Sequence, residues 1–298
     1  MPAALRRRSP VFVQNAWGLA FALPALGFLV VFNLYPLASA FYISFTSWQM
    51  AGTPQFVGLE NYVTVFARDE EFYRSVGVTA YYALGTNPPL WAMALGLALL
   101  FNRRFALRAV FRTVYFVPVV VSWVVAAIVW STIFHPTLGL NAAFFRLFDQ
   151  PGVIWLADPR LVMPAMIIIS IWKGLGYQMV LFLAGLQGIP AEYQEAASCD
   201  GANTRQRLWY ITLPLLKPTI LFVMVISVIG SFQVFTPIFI MTGGGPAGAS
   251  RVLPMLIYEH AFKFLKMGYA TSLAMVLFVI LMSLTLLQMK LFRGGEIG

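Results

Sequence analysis

The sequence predicts an all-α polytopic membrane protein with six transmembrane helices. Three observations carry that expectation. Of the 298 residues, 60% are hydrophobic and only 10% are charged, against roughly 25% charged and 45–50% apolar residues in soluble domains. Six stretches reach the length of about 20 mostly apolar residues that a bilayer crossing needs. The basic residues concentrate in alternate loops, as membrane topology requires. Such a composition excludes a disordered chain, a collagen, a disulfide scaffold and an ordinary soluble enzyme. Cys199 stands alone, so no intrachain disulfide can form.

The first stretch, residues 16–43, follows Arg6, Arg7 and Arg8, and its Ala38-Ser39-Ala40 resembles a signal-peptidase site. It is much longer than the 7–15 apolar residues typical of a cleaved signal, about the upper bound for that class, so it reads as a retained anchor. The second, 76–101, contains Asn87-Pro88-Pro89, which predicts a bend. The others cover 109–134, 161–186, 219–241 and 268–292. All six carry Gly or Pro, which membrane helices tolerate. They are continuous apolar runs, without the ten-residue alternation of a transmembrane barrel.

Charge sets the orientation. With the N-terminus placed inside, the inner loops carry Arg6, Arg7, Arg8, Arg103, Arg104, Arg108, Arg112, Arg205, Arg207, Lys217, Lys290 and Arg293. Their acids are Glu192, Glu195, Asp200 and Glu296. The outer loops, near 45–75, 135–160 and 242–267, balance their basic and acidic residues. Lys173, inside the fourth stretch, completes the net charge of +9. This is the positive-inside pattern, with both termini cytoplasmic. Basic residues split among short loops form no patch for nucleic acid.

Several chemistries leave no trace. No Lys follows a Gly, so there is no Walker A motif; HExxH and GxSxG are also missing. His135 and His260 have no neighbouring His or Cys, and no metal site is expected. None of the eleven acids falls within a span, whereas proton-driven carriers often keep an intramembrane carboxylate. The chain reads as a pathway powered from elsewhere, and not as an enzyme.

The inner loop at 188–218 is the most informative segment. Pro190 can open a helix, and the Ala-rich run from Glu192 continues it. Gly201 can break it. A second short helix through Leu208 and Trp209 is then expected to end near Pro214. The result is a helix–Gly–helix elbow whose apolar Leu208, Trp209 and Ile211 need a partner surface, unless the loop is merely a solvated amphipathic one.

Glu195-Ala196-Ala197, then Gly201, Ile211 and Leu213-Pro214 at their spacings, resemble the EAA loop of binding-protein-dependent ABC importer permeases. Leu183-Ala184-Gly185-Leu186-Gln187, Thr242-Gly243-Gly244-Gly245-Pro246 and Phe56-Val57-Gly58-Leu59-Glu60-Asn61-Tyr62 resemble the carbohydrate branch of that family. The resemblance implies a type I ABC importer permease fold in a bacterial cell membrane. It implies an elbow, including Glu195, Ala196, Ala197, Asp200, Gly201, Leu208, Ile211, Leu213 and Pro214, that docks on an ATPase subunit. It also implies a second homologous permease, two ATPases that hold ATP-Mg, and an extracytoplasmic solute-binding protein that delivers a carbohydrate. No cofactor is expected in this chain. A glycerol-3-phosphate importer of the same architecture is one alternative, and a stand-alone secondary sugar transporter is another of a different class.

In the fourth stretch Ser170, Lys173, Gly174 and Tyr177 fall at i, i+3, i+4 and i+7, on one helical face. Ser227, Gly230, Ser231 and Val234 repeat that spacing in the fifth. Small, hydroxyl and aromatic groups suit a sugar; helix packing uses the same small residues. By resemblance these positions coincide with the sugar site of maltose-type permeases, although Val234 replaces a polar residue and Gln233 stands beside it. Lys173 has three readings: substrate contact, pairing with an acid of the second permease, or a position nearer the outer surface. A Lys at mid-membrane costs about 2.5–3.5 kcal/mol on insertion scales, so it must find water or a partner.

Overall fold

The computed structural model describes residues 10–50, 52–103 and 106–293. Arg6, Arg7, Arg8, Arg104 and Glu296 of the charge balance lie outside the described residues. Helix α1 (Pro10–Leu29) continues through a π-helical turn at Val30–Leu34 into α2 (Tyr35–Ile43). Pro36 explains the wide turn: it has no N–H, and its ring crowds the carbonyl four residues back. An i→i+5 turn, closed by Tyr35 N–H on the Val30 carbonyl, relieves that crowding. The most apolar part of this first crossing is not buried by its own chain.

A short helix α3 (Glu60–Ala67) precedes α4 (Glu70–Asn102). Asp69 caps α4 by accepting the Phe72 N–H at 3.1 Å, and Glu70 and Glu71 in the first turn suit the positive end of the helix dipole. The helix then runs without interruption through Pro88 and Pro89.

The third apolar stretch departs from expectation. It is not one helix over 109–134 but two, α5 (Arg108–Val120) and α6 (Trp123–Ile133), whose axes meet at 99°. Val121 and Ser122 are extended, with ψ of 133° and 144°. The Ser122 hydroxyl accepts the Val124 N–H at 3.3 Å, which starts a new helix. Among the described residues, five helices are therefore long and apolar enough to cross a membrane, and six if this bent pair counts as one crossing.

After α7 (Gly139–Arg146), α8 (Val162–Gln187) forms the centre of the bundle, packed along α4 and α5. At Gly176 a Cβ would overlap the Tyr115 carbonyl, so the backbones of α8 and α5 touch there. The chain then turns through α9 (Ala191–Cys199), α10 (Thr204–Arg207), a π-helical turn at Leu208–Thr212 and α11 (Leu213–Leu215) into α12 (Lys217–Phe232). The second limb ends at Leu215, near Pro214 as expected, with a turn at Leu216 before α12. The same π widening that accommodates Pro36 lets the helical path pass Pro214, with the Leu213 N–H on the Leu208 carbonyl. A break at residues 233–235 separates α12 from α13 (Thr236–Met241); α14 (Leu253–Tyr258) and α15 (Met267–Arg293) complete the chain.

One core joins α4, α8 and α12 through Ala94, Ala98, Met179, Phe182 and Val223. Small alanines on α4 bring its backbone close to α8. At the Glu70 end of α4, Glu71 and Arg251 pair at 2.6 Å, and Arg251 and Lys263 both pair with buried Glu259 at 3.1 Å. The elbow lies at the other end, beside Asn102.

Candidate functional site

Two features stand out: an uncharged polar cavity inside the helices and the elbow at one end. The cavity measures about 320 Å³. Its walls come from α4 (Tyr82, Thr86, Asn87), α8 (Ser170, Gln178), α12 (Ser227, Ser231) and the break after α12, with Trp123 at the start of α6. Membrane-buried hydroxyls must find acceptors, and these do so locally. Ser170 donates to the Met166 carbonyl at 2.7 Å and receives the Tyr82 hydroxyl at 2.7 Å. Ser227 donates to Val223 at 2.6 Å and accepts Trp91 Nε1 at 2.8 Å. Ser231 lies 3.0 Å from Asn87 Oδ1.

Three groups are left over. Thr86 Oγ1, Asn87 Nδ2 and Gln178 Oε1 are buried without a hydrogen-bond partner. An unmade buried hydrogen bond costs about 1–3 kcal/mol. The hydroxyl can donate or accept, the amide nitrogen donates and the amide oxygen accepts, and all three residues face the same cavity.

Of the residues singled out in the sequence, the cavity gathers Ser170, Ser227, Gly230, Ser231, Gln233 and Val234. Lys173, Gly174 and Tyr177 do not line it. Gly174 faces Leu90, where a Cβ would come within 3.1 Å of that side chain. Tyr177 is exposed. Lys173 is buried and turned to the α5–α6 break. Its ammonium donates to the carbonyls of Pro118 at 3.0 Å, Val119 at 3.4 Å and Val121 at 2.5 Å, and sits 5.1 Å from the centre of the Trp123 ring. None of the three sequence readings included these partners: they are backbone carbonyls of its own chain.

Tyr82, Thr86, Asn87, Gln178 and Trp123 escaped the sequence reading. A signal existed for two of them. Thr86-Asn87 are adjacent polar residues inside an apolar stretch, but in the sequence Asn87 reads with Pro88-Pro89 as part of a bend.

The elbow is rigidly built. Gly201 has φ +79°, which a residue with a Cβ rarely adopts. Asn203 and Gln206 form a reciprocal capping box, each side chain on the other's N–H at 2.9 Å. Arg207 on Ser198 at 2.6 Å and Gln194 on Thr212 at 3.0 Å tie the two limbs together. Ala197 is buried in the corner, whereas Glu195, Ala196, Asp200 and Pro214 are exposed. Leu208, Ile211 and Leu213 are half-buried. Trp209 and Tyr210 stand 59% and 79% exposed, too apolar for a solvated loop. A cavity of about 960 Å³, lined by Glu195, Arg207 and Asn102 among others, separates the elbow from the ends of α4 and α8. Among the described residues, no three His, Cys, Asp or Glu side chains cluster as metal ligands.

Residues 91–292 match the family of binding-protein-dependent transport system inner membrane components. The chain is 34% identical to the probable ABC transporter permease protein YesP of Bacillus subtilis, over 96% of this chain and 94% of that one. It is 31% identical to the multiple sugar-binding transport system permease protein MsmF of Streptococcus mutans, over 96% and 98%. A chain of a bacterial ABC transporter involved in import of the acidic polysaccharide alginate superposes with a TM-score of 0.82 at 25% identity, over 96% and 98%.

Proposed function

The chain belongs to the family of binding-protein-dependent transport system inner membrane components, and from that premise we propose that it is a permease subunit of an ATP-driven sugar importer, with the cavity on the sugar's path. The observation that carries the sugar path is the cavity itself: hydroxyls and amides with an unsatisfied donor and acceptor, bounded by Trp123. A sugar hydroxyl both donates and accepts, and an aromatic face packs on sugar C–H groups.

The energy enters at the elbow. A second homologous permease and two ATPase subunits complete the membrane assembly, and an extracytoplasmic binding protein delivers the sugar. ATP-Mg belongs on the ATPases. Glu195 pairs with a basic residue of the ATPase, and Trp209 and Tyr210 bury their exposed rings against it. The capping box and the limb-to-limb hydrogen bonds make the elbow one body, which can pass on a displacement without absorbing it. Both termini, with the elbow, face the cytoplasm, where the basic loops belong. The α5–α6 and α12–α13 breaks flank the cavity, as interrupted helices do at transporter midplane sites.

Proteoliposomes test this reading. The assembled importer with binding protein, ATP and radiolabelled sugar should accumulate the sugar, and omitting the ATPase subunits should abolish accumulation. Uptake by this chain alone would replace the importer with a stand-alone carrier.

A further inference from the structure

We propose that the inner end of α5 binds an anionic phospholipid of the cytoplasmic leaflet. Its phosphate sits against Arg108 and Arg112, and its acyl chain lies along the apolar face of α5. The inference uses the orientation proposed above, with the elbow inside, and makes no use of the sugar path.

The charge comes first. Arg108 and Arg112 stand four residues apart on α5, one helical turn, as neighbours on its surface. Long helical side chains lean towards the N-terminus, so both guanidinium groups reach over the first turn. Like charges at this spacing repel. Neither arginine has a carboxylate within ion-pair distance among the described residues. The sequence has no Asp or Glu between Glu71 and Asp149. Arg112 donates to the Phe101 carbonyl at 2.5 Å, at the end of α4, and its Nε is buried without a partner. A carbonyl takes one of its N–H bonds but does not neutralise its charge. The first turn of α5 has no side-chain cap, so its own N–H groups add positive charge at the same place.

The apolar face comes second. Leu107, Val110, Phe111, Val114 and Val117 recur at helical spacing beside this charge, and each is between 46% and 67% exposed. A free phosphate offers nothing to such a face, whereas an acyl chain packs along it. The depth also fits. Arg108 opens α5 at the elbow end of the bundle, and α5 touches α8 where Tyr115 meets Gly176. Seven residues of helix put Arg108 about 10 Å nearer the elbow end than that contact.

A lipid answers both features where a protein partner answers one with difficulty. A protein would have to bring carboxylates to the edge of the bilayer, next to an apolar surface. The cytoplasmic leaflet already holds anionic phosphates at that level, each joined to an acyl chain. Arginine suits phosphate through its planar fork of donors. Bound there, the phosphate is the counterion that the pair lacks, and through Arg112 it ties the start of α5 to the end of α4. Arg103 is not counted in the pair, because it lines the cavity beside the elbow.

Lipid titration decides it. The assembled importer, purified in a neutral detergent, is titrated with phosphatidylglycerol or phosphatidylcholine, and native mass spectrometry counts the bound lipids. Phosphatidylglycerol should bind in preference. Arg108→Gln combined with Arg112→Gln should weaken one phosphatidylglycerol about thirtyfold, the worth of two basic residues at a lipid surface. Phosphatidylcholine binding should not change. An unchanged phosphatidylglycerol count in that variant overturns the proposal. Inorganic phosphate in excess should leave the lipid in place; displacement by it would assign the site to a soluble anion and overturn the lipid. Loss of a partner subunit from the variant, with its lipid count unchanged, would assign the arginines to a protein contact and overturn the proposal as well. Should the double variant fail to assemble, the wild-type assembly still decides. Phosphatidylglycerol should raise its unfolding midpoint, and more so than in Arg112→Lys, which keeps the charge but loses the fork. Equal midpoints with the two lipids overturn the proposal. None of these readouts uses transport, so failure here leaves the importer reading intact. Binding as expected in a chain whose termini prove to lie outside would overturn the orientation and the choice of leaflet.

Discussion

Lys173 Nζ lies 2.5 Å from the carbonyl oxygen of Val121, at the point where the third apolar stretch breaks and turns. The contact is one of three: Pro118 and Val119 also give their carbonyls to the same ammonium. Helix ends in a membrane leave carbonyls that water cannot satisfy. A cation at a helix C-terminus answers both the hydrogen bonds and the dipole. The lysine and the break thus solve each other's problem. The ammonium needs acceptors at depth, and the carbonyls need a donor.

It follows that Lys173→Met, similar in length and apolar, strands those carbonyls. We expect a loss of about 1–3 kcal/mol, the cost of leaving buried polar groups unpaired. Thermal unfolding of the detergent-purified assembly, followed by size-exclusion, would register a lower midpoint. Lys173→Arg should fall between the two, because it keeps the charge but changes the donor geometry. An unchanged midpoint for the methionine variant would show that the clamp contributes nothing.

Gly176 reports on the same contact from the other side. Its missing Cβ lets the backbone of α8 meet the Tyr115 carbonyl. Gly176→Ala forces that approach apart and should destabilise by about 1–3 kcal/mol, as overpacking does. Gly230, with nothing near its Cβ position, is the internal control: Gly230→Ala should leave the unfolding midpoint in place. Equal shifts for the two variants would deny that the α5–α8 approach matters.

The elbow separates folding from coupling. Gly201 has open space around its Cβ position, so the restriction there is its φ of +79° and not crowding. Asp tolerates positive φ better than most residues. Gly201→Asp should therefore reach the membrane in normal amounts yet fail in ATP-driven uptake, because it adds charge and bulk to the face offered to the ATPase. Asn203→Ala, which removes the capping box, should cost about 1 kcal/mol locally and weaken uptake without abolishing it. Wild-type uptake by Gly201→Asp would remove the coupling role from this turn.

The elbow and the cavity were not equally legible in the sequence. The elbow is local: Pro190, the Ala run and Gly201 lie within twelve consecutive positions, and each acts through its own backbone preference. Part of the cavity was legible for a similar reason, since helical spacing places Ser227 and Ser231 on one face. The rest depends on which helices meet. Tyr82, Thr86 and Asn87 join the site only because α4 packs between α8 and α12. The fate of Lys173 was hidden for another reason. Its partners are carbonyls, which every residue has, and they become available only at a helix break that hydropathy alone does not reveal. Ser122 before Trp123 was the local sign of that break, obscured because the apolar run continues on both sides.

The end opposite the elbow carries a pH dependence whose sign can be worked out. His260 lies in the π-helical turn Glu259–Lys263, its ring against Tyr269 at 4.7 Å and Phe264 at 5.3 Å. Burial lowers its pKa below the ordinary 6.5, and this outweighs the opposing pull of Asp69, Glu259 and Glu71; nearby Lys266 acts with burial. The folded chain therefore holds His260 neutral where the unfolded chain already begins to take up a proton. Stability is full above the unfolded pKa and is lost as pH falls below about 6.5, down to the depressed folded value. The unfolding midpoint should drop between pH 7.5 and 5.5, and His260→Phe, which cannot titrate, should flatten that drop. If His260→Phe kept the full wild-type slope between pH 7.5 and 5.5, the drop would have to come from another group.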